Sequence, residues 1–149
     1  MQPDRRLIYL MSVGFRRLQR GMEQHMLAGQ NLSAAQAGVL FVLGQKDGAL
    51  IGEVADALDL VPSAMTGLAT RMERAGFIRR KRDDQDSRAL RLYLTPAGRD
   101  ARKHATARAQ GLNAKLIEGF LDAEIDVVSR WLTSLQRKFP KDTEQSQTE

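Results

Sequence analysis

The chain of 149 residues has no cysteine and no long apolar run. Without cysteine it can form no disulfide, no thiolate nucleophile and no thiol-ligated zinc or iron–sulfur centre. The N-terminus lacks the apolar core of about 7 to 15 residues that a secretory signal needs, and no segment approaches the length of about 20 residues of a membrane-spanning helix. We therefore expect a soluble cytoplasmic protein without a thiol switch.

Motifs for catalysis and metal binding are also missing from the sequence. It has no Gly-rich phosphate loop, no G-x-S-x-G elbow, no H-E-x-x-H and no Cys–His pair. His25 and His104 have no second His or Cys at ligand spacing, so ordinary core or surface histidines are favoured over a metal site. The acidic run at Asp83, Asp84 and Asp86 lacks the glycine and distal glutamate of a calcium loop. We predict a protein that is not an enzyme and that uses no metal or cofactor.

An excess of positive charge is the main feature of the composition. Lys and Arg number 23 against 18 Asp and Glu, which gives a net charge of +5 and an isoelectric point of about 10.0. Such an excess favours a polyanionic partner, either nucleic acid or an anionic membrane surface. With 42% hydrophobic and 28% charged residues the chain has globular composition, of a size for one small domain with helical extensions.

Apolar residues recur at helical spacing near both ends of the chain. One stripe predicts a helix over residues 5–28 and consists of Leu7, Met11, Phe15, Leu18, Met22 and either His25 or Met26. A second, heptad-like stripe requires a partner helix and consists of Leu121, Ile125, Val128, Leu132, Leu135 and Phe139. Thr95 and Pro96 open another helix that extends to about Gly119, and Asp122 is the predicted cap of the last one. Residues 141–149 form a polar tail, predicted to be disordered.

The middle of the chain has the pattern of a helix-turn-helix. Ser33 and Gln36 form a capping box at the start of one helix, residues 51–58 form a short second one, and Pro62 suits the first position of the next. In that last helix a core face is predicted, comprising Met65, Leu68, Met72 and Ala75. The opposite face is polar, small and basic, and comprises Ser63, Thr66, Gly67, Thr70, Arg71 and Arg74.

The segment RRKRDDQDSRALRLYLT, residues 79–95, predicts a β-hairpin directly after this motif. Its strands are residues 77–82 and 89–94, and the polar residues 83–88 connect them. Taken alone, four consecutive cations are typical of a solvated surface. On the wing of a helix-turn-helix, however, the basic strand with Arg80 and Arg82 faces DNA phosphates, and the tip carries Arg88 toward a minor groove. The carboxylates of the tip are expected to hold the loop.

The order of these parts resembles the MarR family of bacterial transcription regulators over roughly residues 5–139. The resemblance rests on the segments LSAAQAGVL and PSAMTGLATRMERAGFIRRKRDDQDSRALRLYLTPAG. The most specific part is the wing, with Asp86, Ser87 and Arg88 followed by a strand that ends in Leu94, Thr95 and Gly98.

The resemblance implies a mainly α fold with a small β-hairpin, in which residues 31–99 form the winged helix-turn-helix domain. Residues 1–30 and 100–140 would be dimerisation helices of an obligate homodimer that binds a pseudo-palindromic operator as a regulator, most simply a repressor. By the family pattern Arg88 enters the minor groove, Asp86 orients the wing, and the helix that starts at Pro62 lies in the major groove. The chain departs from the family pattern at Val61, which has no side chain able to cap this helix.

The resemblance also implies release from DNA by a small aromatic or phenolic effector. The candidate residues for an effector pocket are Phe15, Met22, His25 and Met26, with Arg16 or Arg20 near the rim. Met11, Met22 and Met26, which lie at helical spacing, are better explained as dimer core than as a binding site. The alternative is a winged-helix module that binds DNA or a protein constitutively, with no effector.

Overall fold

The computed structural model describes residues 4–26 and 32–141. The helices are α1 (Leu7–Met26), α2 (Ala34–Gln45), α3 (Ile51–Ala57), α4 (Pro62–Arg74), α5 (Pro96–Ile117) and α6 (Asp122–Lys138), and the strands are β1 (Ala49–Leu50), β2 (Ile78–Arg82) and β3 (Leu90–Leu94). The chain divides into two compact units between Ala107 and Arg108. The predicted fold class, a mainly helical winged helix-turn-helix, is confirmed. The predicted end of the first helix at residues 27–28 and the polar tail beyond residue 141 lie outside the described residues.

Short-range signals in the sequence mark the starts of α2, α4 and α5. The Ser33 hydroxyl accepts a hydrogen bond from the Gln36 amide at 3.2 Å, and the Gln36 side chain accepts one from the Ser33 amide at 2.9 Å, so the predicted capping box is present. Pro62 is the first residue of α4. The Thr95 hydroxyl accepts a hydrogen bond from the Gly98 amide at 3.0 Å and caps α5 as predicted.

The start of α6, in the second unit, differs from the prediction. Leu121 is the N-cap residue and Asp122 is already the first helical residue, so the prediction of Asp122 as the cap is wrong. The Glu124 carboxylate instead reaches back and accepts a hydrogen bond from the Leu121 amide at 2.8 Å. The longer Glu124 side chain, at the third helical position, can reach back to the N-cap amide, as in a capping box. The Asp122 carboxylate, at the first helical position, is favoured there by the helix dipole.

The hydrophobic core lies within the first unit. All the buried hydrophobic residues of the described chain lie between Leu32 and Ala105, and they include Val39, Leu40, Leu43, Val54, Met65, Leu68, Met72, Ile78 and Leu92. On α4, the core face includes Ala69, while Ala75 is exposed, contrary to the prediction. Ala75 is the C-cap residue at the end of α4.

The wing belongs to a three-stranded antiparallel sheet with the order β1-β3-β2. The predicted hairpin is present and pairs Ile78 with Leu94 at one end and Arg82 with Leu90 at the other. Strand β1, which pairs Ala49 with Leu92, is absent from the sequence-based prediction. A strand of two residues has no alternation to detect, and it exists only because β3 offers its free edge.

No member of the apolar stripes of α1 and α6 is buried in the described chain, and most of them are exposed. On α1, Leu7 is 50% exposed and Phe15 is 60% exposed. On α6 no residue is buried, and Leu132 is 48% exposed. Exposed apolar surface of this kind favours contact with another apolar surface. None of the described helices has the length and hydrophobicity needed to cross a membrane.

Candidate DNA-binding surface

Helix α4 separates its predicted surface residues from its core residues. Met65, Leu68 and Met72 are buried, which turns the opposite face of the helix outward. The side chains predicted to face DNA are all outside the core: Ser63, Thr66, Arg71 and Arg74 are exposed, and Gly67 and Thr70 are half-buried. The helix therefore presents a narrow surface of hydroxyl and guanidinium groups.

The N-terminus of α4 has no side-chain cap. Val61 is the N-cap residue, its side chain makes no capping hydrogen bond, and it is 63% exposed. Pro62 at the first helical position removes one of the amide donors that would otherwise lack a partner. The remaining free amides carry the positive end of the helix dipole, which favours an anion.

The two threonines of α4 use their hydroxyl protons inside the helix. Thr66 Oγ1 donates to the Pro62 carbonyl at 3.0 Å, and Thr70 Oγ1 donates to the Thr66 carbonyl at 3.0 Å. Each hydroxyl has a single proton, so neither group in this arrangement can donate to a second acceptor.

Arg80 of β2 is bound to α4 and is not a free surface cation. Its guanidinium forms an ion pair with the Glu73 carboxylate, with Nη2 at 2.9 Å and Nε at 3.1 Å from Oε1. The Arg80 amide donates to Glu73 Oε2 at 3.0 Å, and Nη1 donates to Thr70 Oγ1 at 3.3 Å. These bonds join the wing to α4, and hydrogen bonding by Arg80 lowers the pKa of Glu73 below its usual value.

Two other cations of β2, Arg79 and Lys81, are exposed and absent from the sequence-based site prediction. Buried Ile78 sets the phase of the strand, so Arg80 and Arg82 share its face while Arg79 and Lys81 lie on the other. Neither of these two has a side-chain hydrogen bond or ion pair with any residue of the described ranges. The strict alternation of a strand is the signal that could have identified them.

Hydrogen bonds within the tip hold the wing loop. Arg82 Nη1 donates to the Ser87 carbonyl at 2.7 Å, so this predicted DNA-contact residue also braces the loop. Asp86 Oδ1 accepts a bond from the Arg88 amide at 3.0 Å, and the Asp86 amide donates to Asp83 Oδ2 at 3.2 Å. The Asp86 carboxylate therefore orients the backbone at Arg88.

A second contact ties the tip to the edge of the sheet. Arg91 Nε lies 2.6 Å from Asp83 Oδ1, and Arg91 Nη1 donates to the Gly48 carbonyl at 2.8 Å. The Asp83 side chain is only 15% exposed. Hydrogen bonding by Arg91 lowers the pKa of Asp83 below its usual value.

The Arg88 side chain is exposed at the tip of this braced loop. Within the described part of the chain its guanidinium has no hydrogen bond or ion pair, although its backbone amide is held by Asp86. A rigid loop that carries an unpaired guanidinium suits insertion into a narrow minor groove, because little conformational freedom is lost on binding.

The pKa shifts of Asp83 and Glu73 predict how acid affects the domain. Both folded-state pKa values are lowered, so the stability that these carboxylates contribute is complete above their unfolded values of about 4 and is lost as the pH falls through the lower folded values. Asp83→Asn should therefore lower the free energy of unfolding equally at pH 5 and pH 8, with a difference from wild type that shrinks below about pH 4. Urea unfolding at fixed protein concentration measures this. A difference that persists unchanged to pH 3 would show that the carboxylate charge is irrelevant.

The structure describes the side chains of two of the four predicted effector residues. Phe15 is exposed and Met22 is half-buried on α1, whereas the side chains of His25 and Met26 lie outside the described residues. No group of three or more His, Asp or Glu side chains that could hold a metal ion occurs in residues 4–26 and 32–141.

Comparison with known proteins shows which family this chain resembles in sequence. The model of the MarR family matches residues 32–90. The HTH-type transcriptional regulator TtmR of Methylorubrum extorquens (strain PA1) is 36% identical over 74 residues, which are 50% of this chain and 38% of that protein. The match thus spans well under half of this curated relative.

Solved structures extend the similarity of fold to most of the chain. BpsR of Bordetella bronchiseptica, whose DNA binding is regulated by 6-hydroxynicotinic acid, is 20% identical with a TM-score of 0.82, covering 91% of this chain and 96% of that one. MepR of S. aureus, solved as a DNA complex, is 22% identical with a TM-score of 0.79, covering 87% and 96%. Because both sequence identities are low, these two comparisons show similarity of fold alone.

Proposed function

We propose that this chain is a member of the MarR family of winged helix-turn-helix transcriptional regulators, whose family model matches residues 32–90, and that it acts as a homodimer on a pseudo-palindromic DNA operator. Family and fold are those of DNA-binding regulators and not of enzymes. The observation that carries the proposal is the pairing of a braced wing, with its exposed unpaired Arg88, and a helix whose polar and basic face points away from the core.

In this proposal the winged domain of each protomer, here called a lobe, contacts DNA at two places. Helix α4 lies in the major groove, where Ser63, Thr66 and Arg71 reach base edges. The wing lies over the adjacent backbone, where Arg79 and Lys81 contact phosphates and Arg88 enters the minor groove. The ion pair of Arg80 with Glu73 keeps these two elements at a constant separation, so that both contacts form together.

Dimerisation accounts for the exposed apolar stripes. The faces of α1 and α6 present large hydrophobic side chains that the described chain leaves exposed, and a second copy would cover them. A two-fold dimer places its α4 helices in successive major grooves about 34 Å apart, which matches half-sites about one helical turn apart.

Repression in the cytoplasm, with release by a small aromatic or phenolic acid, is the regulatory part of the proposal. The support is the fold shared with BpsR, which responds to 6-hydroxynicotinic acid. A pocket formed by Phe15 and Met22, together with His25 and Met26, would suit such a ligand. A ligand releases DNA only by its differential affinity for the DNA-incompetent state, so a hundredfold release requires about 2.7 kcal/mol of difference. A constitutive winged-helix DNA- or protein-binding module is the alternative.

One experiment tests both parts. Footprinting of the promoter beside the gene with the purified full chain should reveal a protected site with two-fold symmetry. The same complex is then titrated with 6-hydroxynicotinic acid and a set of aromatic acids and phenols. Absence of any symmetric protected site contradicts operator binding, whereas ligands that raise the melting temperature of the free protein and leave operator affinity unchanged support the constitutive alternative.

A further inference from the structure

The hydrogen bonds of α4 restrict what its side chains can recognise in a major groove. The proton of the exposed Thr66 hydroxyl is donated to the Pro62 carbonyl. Two lone-pair positions on Oγ1 and the γ-methyl group remain available to DNA. Thr66 therefore acts toward a base as an acceptor and an apolar contact, and not as a donor.

These properties match one kind of base pair. The major-groove edges of guanine and the O4 of thymine present acceptors, which an acceptor-only side chain cannot bond. An A·T pair presents the adenine N6 amino group, which is a donor, and the thymine methyl group, which is apolar. A C·G pair also offers an amino donor, but it lacks the methyl group.

Thr70 is excluded from this role although it lies one turn further along the same face. Its hydroxyl donates to the Thr66 carbonyl and accepts from Arg80 Nη1, and the residue is half-buried. The proton and one of the two lone pairs of Thr70 are therefore used within the domain, where they hold the wing, and its half-buried position leaves the second lone pair less accessible than those of Thr66.

Arg71 has the complementary chemistry. It is exposed, and in the described ranges its guanidinium has neither a hydrogen bond nor an ion pair. A β-carbon added at Gly67 would lie 3.4 Å from Arg71 Nη1, so the guanidinium folds back over the bare backbone of Gly67. The charged group thus lies at the level of Gly67, the residue next to Thr66. Neighbouring residues of a helix differ in height by about 1.5 Å, which is less than the distance between successive base pairs.

From this arrangement we propose that Thr66 selects an A·T base pair and that Arg71 selects a guanine within about two base pairs of it. The guanidinium fork donates to guanine O6 and N7, which Thr66 cannot recognise. The inference rests on the proposed function, because it requires α4 in the major groove. It adds to that proposal the base composition that each operator half-site must contain.

Base analogues in the footprinted operator test the assignment with the full-length dimer. Each thymine is replaced in turn by uracil, which lacks the methyl group, and each guanine by 7-deazaguanine, which lacks the N7 acceptor. For wild type, one uracil position per half-site should weaken binding about fourfold, the value of one apolar carbon, and one 7-deazaguanine position should weaken it by about fivefold or more.

Two matched variants identify the side chain responsible. Thr66→Ser removes the methyl group, keeps the hydroxyl, and should abolish the response to uracil at that position. Thr66→Val keeps a methyl group, removes the acceptor, and should retain the uracil response. Replacing the paired adenine by purine, which lacks the N6 amino group, should weaken binding by wild type and leave binding by Thr66→Val unchanged. Arg71→Ala should lose the 7-deazaguanine response alone. Circular dichroism establishes that each variant is folded.

The outcomes separate this inference from the proposed function. Specific operator binding by the wild type with no sensitive thymine, or with a sensitivity that Thr66→Ser leaves unchanged, overturns the role of Thr66 while DNA binding stands. A guanine response that persists in Arg71→Ala overturns the role of Arg71. Absence of any sequence-specific site overturns the proposed function, and with it this inference.

Discussion

Replacing Leu132 by Glu should raise the dissociation constant of the dimer at least about 100-fold, which corresponds to about 2.7 kcal/mol. Leu132 is 48% exposed in the middle of the apolar stripe of α6. In a dimer its side chain would be covered, and a carboxylate there would lose its hydration without gaining a partner. Because a single lobe contacts one half-site, operator affinity should fall at least as far.

Ala123→Glu is the matched control for this substitution. It introduces the same side chain on the same helix, but nine residues away, which at about 100° per residue is the opposite face. Ala123 is exposed and lies in the first helical turn, where an acidic side chain is favoured by the helix dipole. Sedimentation equilibrium should show a dimer for Ala123→Glu and dissociation for Leu132→Glu. A Leu132→Glu protein that remains dimeric with wild-type operator affinity would show that this face is not the interface.

Arg88→Ala should weaken operator binding by about 1 to 3 kcal/mol, or roughly 5- to 150-fold, with little effect on the free energy of unfolding. The bonds that shape the loop involve the Arg88 amide and the side chains of Asp83, Asp86 and Arg91, all of which remain in the variant. The substitution therefore removes only the unpaired guanidinium.

Two further substitutions, at Arg88 and at Asp86, test whether the Arg88 guanidinium enters a narrow groove. Arg88→Lys keeps the charge but lacks the planar fork, and it should recover only part of the affinity if the side chain enters a narrow groove. Asp86→Ala should cause a smaller loss, since it frees the loop and leaves the cation in place. Arg88→Ala that binds as tightly as wild type at physiological salt contradicts the assignment of the wing. A loss that is uniform across unrelated DNA sequences indicates a phosphate contact instead.

Features that depend on residues within one turn of each other could be predicted from the sequence. The capping box of Ser33 with Gln36, the start of α4 at Pro62 and the cap of α5 at Thr95 are all present as predicted. The reason is that helix initiation satisfies its first amides with groups three or four positions away. The same reasoning failed at Asp122, because two carboxylates in one turn competed and the one at the third helical position had the better reach.

The run of four cations shows where such local reasoning stops. The sequence determined that a basic strand follows α4 and that a charged loop with Arg88 connects it to a second strand. It could not determine that Arg80 pairs with Glu73, or that Arg91 bridges Asp83 and the Gly48 carbonyl, which is 43 residues away. Those partners lie on separate elements that meet only when the core around Ile78 and Leu92 closes. Core closure orients Arg80 toward α4 and leaves Arg79 and Lys81 exposed, so folding decides which cations of one basic run remain available to DNA.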